Sequence, residues 1–298
     1  MEVFIKETSI FASKYRIMPT TQQLQDFAQQ VRRDIVRMVH KVQSGHPGGS
    51  LSSNEFLTVL FQEVLQYKLP FQMEGKNEDM FFLSNGHITP AFYAVLARSG
   101  FFPVSELASF RLFGSRLQGH PSSHDKLPGV RVAAGSLGQG LSVALGVAQA
   151  KKMDGDAHLV YTLHGDGELQ EGQIWEAVLY AGAKKVDNLI ASVDYNKAQI
   201  DGFTDDVVSL GNLRAKFEAF GWVVIDVEKG NDIASVSAGM KEAKALTGKG
   251  KPVCVLLHTQ MGNGVDFMMG TYKWHGNPPN DDQLASALAQ NAETLGDY

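Results

Sequence analysis

Apolar residues recur along this chain with two different periods, and the switch between them sets the order of elements. Leu24, Phe27, Ala28, Val31, Ile35, Met38, Val39 and Val42 follow helical spacing behind two candidate caps, Thr20 and Thr21. The spacing predicts a helix that stops at Ser44-Gly45-His46-Pro47-Gly48-Gly49. Ser52 and Glu55 are placed as a capping box for a second helix, with Phe56, Leu57, Leu60 and Val64 on its buried side. Met80-Phe81-Phe82-Leu83 is a continuous apolar run, the mark of a strand buried on both faces, and a helix follows Pro90. A polar stretch from roughly Gly114 to Gly135 reads as a loop. Leu141 to Met153 reads as a helix that Gly155 can stop.

A regular rhythm then sets in. Strands are expected at Leu159–Leu163, Leu189–Val193, Trp222–Val227 and Val253–Leu257. Helices are expected between them at Glu171–Ala183, Leu213–Phe220 and Ile233–Leu246, with a last one from Asp281. Near-continuous apolar strands alternating with helices mean an α/β fold, a parallel sheet with helices on both faces. With no internal repeat and no low-complexity linker, residues 1–298 read as one domain.

Composition narrows the class. At 298 residues and 44% hydrophobic content, the chain can bury a core without disulfides. A net charge of -5 does not attract nucleic acid or an acidic membrane surface. The single cysteine, Cys254, lies in an apolar run and reads as a small core residue. The first twenty residues lack the apolar core of a signal peptide, and no run is long enough to span a bilayer. A soluble, cytoplasmic protein is expected.

In an open parallel sheet, ligands bind beyond the carboxyl ends of the strands. Four expected strand ends carry unusual chemistry: Ser84-Asn85-Gly86-His87, His164-Gly165-Asp166-Gly167, Asp194-Tyr195-Asn196, and a glycine-rich loop with His275. Gly165 and Gly167 let the backbone approach a ligand closely, and the helix start that follows can meet an anion. Taken alone, that tripeptide reads better as a tight turn with a capping aspartate. Asn196 changes the balance. It falls one strand–helix–strand unit after Asp166, at the end of the neighbouring strand. A carboxylate, an amide oxygen and a backbone carbonyl, with Ala198 as the candidate, suit a hard cation: Mg2+, or Ca2+ or Mn2+ in its place.

With these residues assembled, the chain resembles the thiamine diphosphate enzymes, and among them transketolase. Gly165-Asp166-Gly167, Glu171-Gly172 and the strand ending at Asn196 resemble the diphosphate motif. His46 in Ser44-Gly45-His46-Pro47-Gly48, His87 in Ser84-Asn85-Gly86-His87, His120 in Gly119-His120-Pro121 and His275 in Trp274-His275-Gly276 resemble the family's histidine motifs in order. Gly135-Ser136-Leu137-Gly138-Gln139-Gly140 resembles the loop around the aminopyrimidine ring. The resemblance implies thiamine diphosphate as cofactor, with Asp166, Asn196 and the Ala198 carbonyl on the metal. It places Gly165, Gly167, His87 and His275 near the diphosphate, and the backbone at Gly135, Ser136 and Leu137 near the aminopyrimidine. His46, His120 and His275 take catalytic positions, the first two against the sugar hydroxyls, and Glu171 communicates across a dimer. The activity implied is transfer of a two-carbon ketol unit from a ketose to an aldose, free or phosphorylated.

The chain departs from the family in two ways. Tyr195 stands where many thiamine diphosphate enzymes have an asparagine. The larger departure is length, because transketolases carry two further domains. The resemblance therefore implies a split enzyme, in which a separate C-terminal, pyrimidine-binding subunit completes the site in an α2β2 heterotetramer. Two rival readings are the α-subunit of a thiamine diphosphate-dependent 2-oxoacid or acetoin dehydrogenase, and a non-catalytic cofactor-binding module. His40 and His158 are expected at the surface, His124 in a polar loop and His164 in a structural role, while His258 is compatible with either role.

Overall fold

The computed structural model describes residues 18–298. Its strands are β1 (Met80–Leu83), β2 (Val160–Gly165), β3 (Leu189–Tyr195), β4 (Ala198–Gln199), β5 (Gly202–Phe203), β6 (Val223–Val227) and β7 (Val253–His258). Five of them form one all-parallel sheet in the order β1-β2-β3-β7-β6. The chain steps outward from β1 to β3, skips one place to lay down β6, and returns to fill the gap with β7. Register aligns the carboxyl ends of the three central strands: Gly165 pairs with Asp194, and Tyr195 with His258. The strands β4 and β5 form a separate antiparallel hairpin just beyond the end of β3.

Strand residues alternate between two cores. Phe81, Leu83, Tyr161, Leu163, Val255 and Leu257 face one, which is closed by the helices Thr21–Val42, Thr89–Arg98 and Ile233–Leu246. Met80, Phe82, Val160, Cys254 and Leu256 face the other, under the helices Gly140–Met153, Gly172–Ala183 and Leu213–Ala219. Helices cover both faces, as the apolar strands require. Cys254 is fully buried, and burial pushes its thiol well above the ordinary range. Among the described residues, no helix is long and apolar enough to cross a membrane.

Most expected elements lie within two residues of their predicted ends. Thr20 caps the first helix, accepting from the Gln23 N–H while Gln23 accepts from the Thr20 N–H. The expected capping box at Ser52 and Glu55 does not form. The segment is instead two short helices, Pro47–Ser52 and Asn54–Val59, followed by a π-helical turn at Leu60–Val64. Both side chains are claimed by tertiary partners: Ser52 Oγ donates to Asp194, and the buried Glu55 carboxylate pairs with Arg32 and accepts from Asn231 Nδ2. A buried carboxylate needs a charged partner more than an exposed-type cap needs an acceptor. The β4–β5 hairpin and the short helix Thr204–Val208 are additions that periodicity does not reveal.

Candidate functional site

The four strand ends singled out in the sequence are neighbours in the sheet, on β1, β2, β3 and β7. Asp166 follows directly on β2 and Asn196 directly on β3, so both sit at one edge. Asp166 is 1% exposed; its Oδ1 accepts from the Gly167 N–H at 2.7 Å, and its Oδ2 from the Lys197 N–H. The Asn196 amide oxygen accepts from the Ala198 N–H at 2.9 Å, and its Nδ2 donates to Asp194 at 2.9 Å. Asp166, Asn196 and Ala198 are thereby tied to one turn of chain.

Asp194 is a second buried carboxylate at this edge, 1% exposed, and it accepts from Ser52, Ser53, Thr259 and Asn196. Among the described residues, no lysine, arginine or histidine forms an ion pair with Asp166 or Asp194. Burial first, and then the nearby Asp194 charge, push Asp166 up to about 8. Burial also raises Asp194, against the pull of its hydroxyl donors. Two uncompensated buried carboxylates beside an amide oxygen form a set of hard donors that fits a divalent cation.

The histidines converge. The His46 ring lies 5.1 Å from His87, 5.5 Å from His275 and 6.3 Å from His120, and His87 lies 5.0 Å from His275, all between centroids. These side chains come from the Pro47 turn, the β1 end, the long polar loop and the loop after β7. Burial lowers all four, His46 to about 4, with His275, Arg111 and His120 adding to its shift. Neutral imidazoles can both donate and accept. Buried nitrogens without a partner remain at His46 Nδ1 and His275 Nδ1, and buried oxygens at Asn85 Oδ1 and Gln199 Oε1. Unsatisfied polar atoms gathered at one strand edge are what a polar ligand would satisfy. A cradle accompanies them: a Cβ on Gly167 would meet the Gln199 side chain at 3.2 Å.

The loop Gly135–Gly140 lies against this centre. Gly135 packs beside His120, and the Gly138 N–H donates to Glu168 at 2.9 Å. Ser136 is exposed, Leu137 half-buried, and Glu171 is exposed at the start of the helix Gly172–Ala183. Of the other histidines, His164 is buried and bonded to Thr162, in keeping with a structural role. His124 is exposed; His40 pairs with Asp281 and His158 with Asp156, both partly covered rather than free at the surface. His258 pairs with Asp226, near Glu228, and these three offer ligand atoms within 4.8 Å of one another. Arg214 already pairs with Asp226 there. Sequence reasoning missed Glu168, Arg111 and Gln199 as members of the site, and gave no role to Asp194 within its strand-end motif. Asp194 and Glu168 directly flank the motif residues, but only burial and bonding distinguish them from ordinary turn acids. Arg111 donates to Ser44 Oγ at 2.6 Å, and its charge holds His46 and His120 down.

Fold and site together define a parallel α/β domain that gathers hard oxygen donors, a glycine cradle and four neutral histidines at one carboxyl edge. Residues 23–293 match the family model described as transketolase, thiamine diphosphate binding domain. The chain is 37% identical over 264 residues to an apulose-4-phosphate transketolase subunit of Phocaeicola vulgatus, covering 89% of this chain and 92% of that one. It is 39% identical to the 6-deoxy-6-sulfo-D-fructose transketolase subunit of a Clostridium species, covering 90% and 95%. The structure of transketolase from Leishmania mexicana superposes with a TM-score of 0.84 at 31% identity, over 94% of this chain and 43% of that one. The chain belongs to the transketolase family, as a thiamine diphosphate-binding subunit. It matches the two bacterial subunits over nearly their whole length, and spans less than half of the Leishmania transketolase chain. Of the classes the sequence left open, the family matched is transketolase.

Proposed function

We propose that this chain is the diphosphate-holding subunit of a two-chain transketolase, acting as a single domain in the cytoplasm with a separate pyrimidine-side subunit. The observation that carries the reading is the convergence of His46, His87, His120 and His275, with His87, Asp166 and Asn196 each following one of three neighbouring strands. Asp166, Asn196 and the Ala198 carbonyl would hold Mg2+, Ca2+ or Mn2+, which would supply positive charge against the diphosphate. Gly165, Gly167, His87 and His275 would meet the diphosphate, and the backbone at Gly135, Ser136 and Leu137 the aminopyrimidine. Thiamine diphosphate supplies the carbon nucleophile and the electron sink that a ketol transfer needs. The chain's own part is to orient and to move protons. His46 and His120 hold the hydroxyls around the reacting carbon. His46 Nδ1 and His275 Nδ1 are buried and unpartnered, so each is free to hydrogen-bond a bound group, and a neutral imidazole can accept a proton and later return it.

A partner is supported by the two bacterial relatives, each named as one subunit of a transketolase, and by an exposed apolar face. Val143, Leu179 and Tyr180 are open to solvent on the helices Gly140–Met153 and Gly172–Ala183, which also meet through Gln149 and the Tyr180 hydroxyl. Glu171, exposed at the start of the second of these helices, would reach a neighbouring protein chain. Two copies of each chain make the α2β2 assembly. The sugar is a ketose or ketose phosphate; the named relatives act on apulose 4-phosphate and on a sulfo-fructose, and the end group is read by the other subunit.

The test is ketol transfer from xylulose 5-phosphate to ribose 5-phosphate, and from a sulfonated ketose, with thiamine diphosphate and Mg2+. The chain is assayed alone and mixed with a candidate partner. Activity that needs both chains is the expected result. Activity of this chain alone, or none from a well-folded complex with any ketose donor, refutes the reading.

A further inference from the structure

We infer that Glu168 is a positioning residue for the cofactor, a buried carboxylate that pins three separate ligand loops into one cradle; this rests on the thiamine diphosphate reading of the site. Glu168 directly follows Gly165-Asp166-Gly167 and is 2% exposed. Its Oε1 accepts from Ser84 Oγ, at the end of β1, and from the Gly138 N–H at 2.9 Å, in the loop Gly135–Gly140. Its Oε2 accepts from the Gly165 N–H at 3.2 Å. Ser84 Oγ in turn accepts from the Gly140 N–H at 3.2 Å, which closes the network. The three segments joined are those that would face the diphosphate, the metal and the aminopyrimidine.

The bonding pattern is not that of a core ion pair. Among the described residues no lysine or arginine pairs with Glu168 within 4.0 Å; the one basic group that close is His164, with Nδ1 at 3.6 Å. A buried carboxylate satisfied by backbone N–H groups and one hydroxyl fixes backbone position, because each bond is charge-assisted and directional. An apolar residue of the same size would fill the space and leave these loops free to move relative to one another. Asn85 shows what is positioned: it sits beside the pinned Ser84, 1% exposed, packed on Gly165, with Oδ1 unpartnered. Glu168 thus touches no reactant and acts through the loops it holds, so that the cradle is assembled before the cofactor arrives.

A glutamine at this position cannot keep the pattern. Its single oxygen can serve Oε1's donors or Oε2's donor, and the amide nitrogen then faces an N–H or a hydroxyl that has lost its acceptor. The test is calorimetric titration of thiamine diphosphate with Mg2+ into the full chain, by itself and in complex with its partner. Wild type, Glu168→Gln and Ser84→Ala are compared. The expected result is a Kd raised about tenfold to a hundredfold by Glu168→Gln and roughly threefold to tenfold by Ser84→Ala. The cofactor-free proteins melt cooperatively, which separates the change in Kd from a loss of the fold. A residue serving only the fold would lower the melting temperature and leave the Kd of the folded protein unmoved. Wild type binding with both variants within twofold of it overturns the inference alone. Wild type that binds no thiamine diphosphate overturns the cofactor reading with it. If Glu168→Gln does not fold, Ser84→Ala decides.

Discussion

Asp166→Asn separates the two demands on the metal edge. In the wild type, burial and the Asp194 charge raise Asp166 to about 8. A carboxyl whose folded value is raised stabilises the fold fully below its unfolded value near 4, and that stability is withdrawn as pH rises toward 8. Across this window the cofactor-free wild type loses up to about 1.4 kcal/mol per pH unit from this group. The asparagine carries no such penalty. It does lose an acceptor, because one amide oxygen cannot take both the Gly167 and the Lys197 N–H, at a cost of about 1 kcal/mol. The variant should therefore melt below wild type near pH 4 and above it at pH 6, increasingly so toward pH 8, with a crossing at about pH 5. For a domain of this size 1 kcal/mol corresponds to roughly 2 °C, so the gap is measurable. Metal reverses the ranking: Mg2+ with thiamine diphosphate should raise the wild-type melting temperature, increasingly so as pH rises and the carboxyl ionises, and leave the variant nearly unmoved. Thermal melts at about pH 4, 6 and 8, with and without Mg2+ and thiamine diphosphate, give both readings. Parallel melting curves against pH, or a variant that gains as much from metal and cofactor as wild type, refutes the charge argument.

Three further outcomes follow from local geometry. Gly167→Ala places a Cβ 3.2 Å from Gln199 in the cradle, so calorimetry should show thiamine diphosphate binding weakened at least tenfold with the far-ultraviolet spectrum unchanged. Gly86→Ala would set a Cβ 1.6 Å from the Ala134 carbonyl oxygen, and chemical denaturation should show a loss of about 3 kcal/mol. Glu171→Gln, at an exposed helix start, should leave folding and melting of this chain alone within about 0.5 kcal/mol of wild type, while kcat of the assembled two-chain enzyme falls; equal kcat would remove Glu171 from the shared site.

Much of this protein could be read from residue order. β7 and β2 were visible because a strand buried on both faces must be apolar throughout, and the helix Thr21–Val42 because a half-buried helix must repeat its apolar stripe. The chemistry at the strand ends was visible for a related reason: a parallel sheet turns its chain at one edge, and glycine, histidine and aspartate clustered at those turns serve no core. Spacing alone could place Asp166 and Asn196 on neighbouring strands, since one strand–helix–strand unit separates them. Sequence could not give the place of β7 between β3 and β6, which brings the His275 loop to His46; that is a choice of strand order, made by packing both faces at once. It could not say that Ser52 and Glu55 would leave their helix start for Asp194 and Arg32. Nor could it show that Asp194 and Glu168, acids like any others in a turn, would be buried without a lysine or arginine partner. Local propensity is settled within a few residues, whereas the worth of a polar group depends on what surrounds it after burial, and only the folded chain supplies those surroundings.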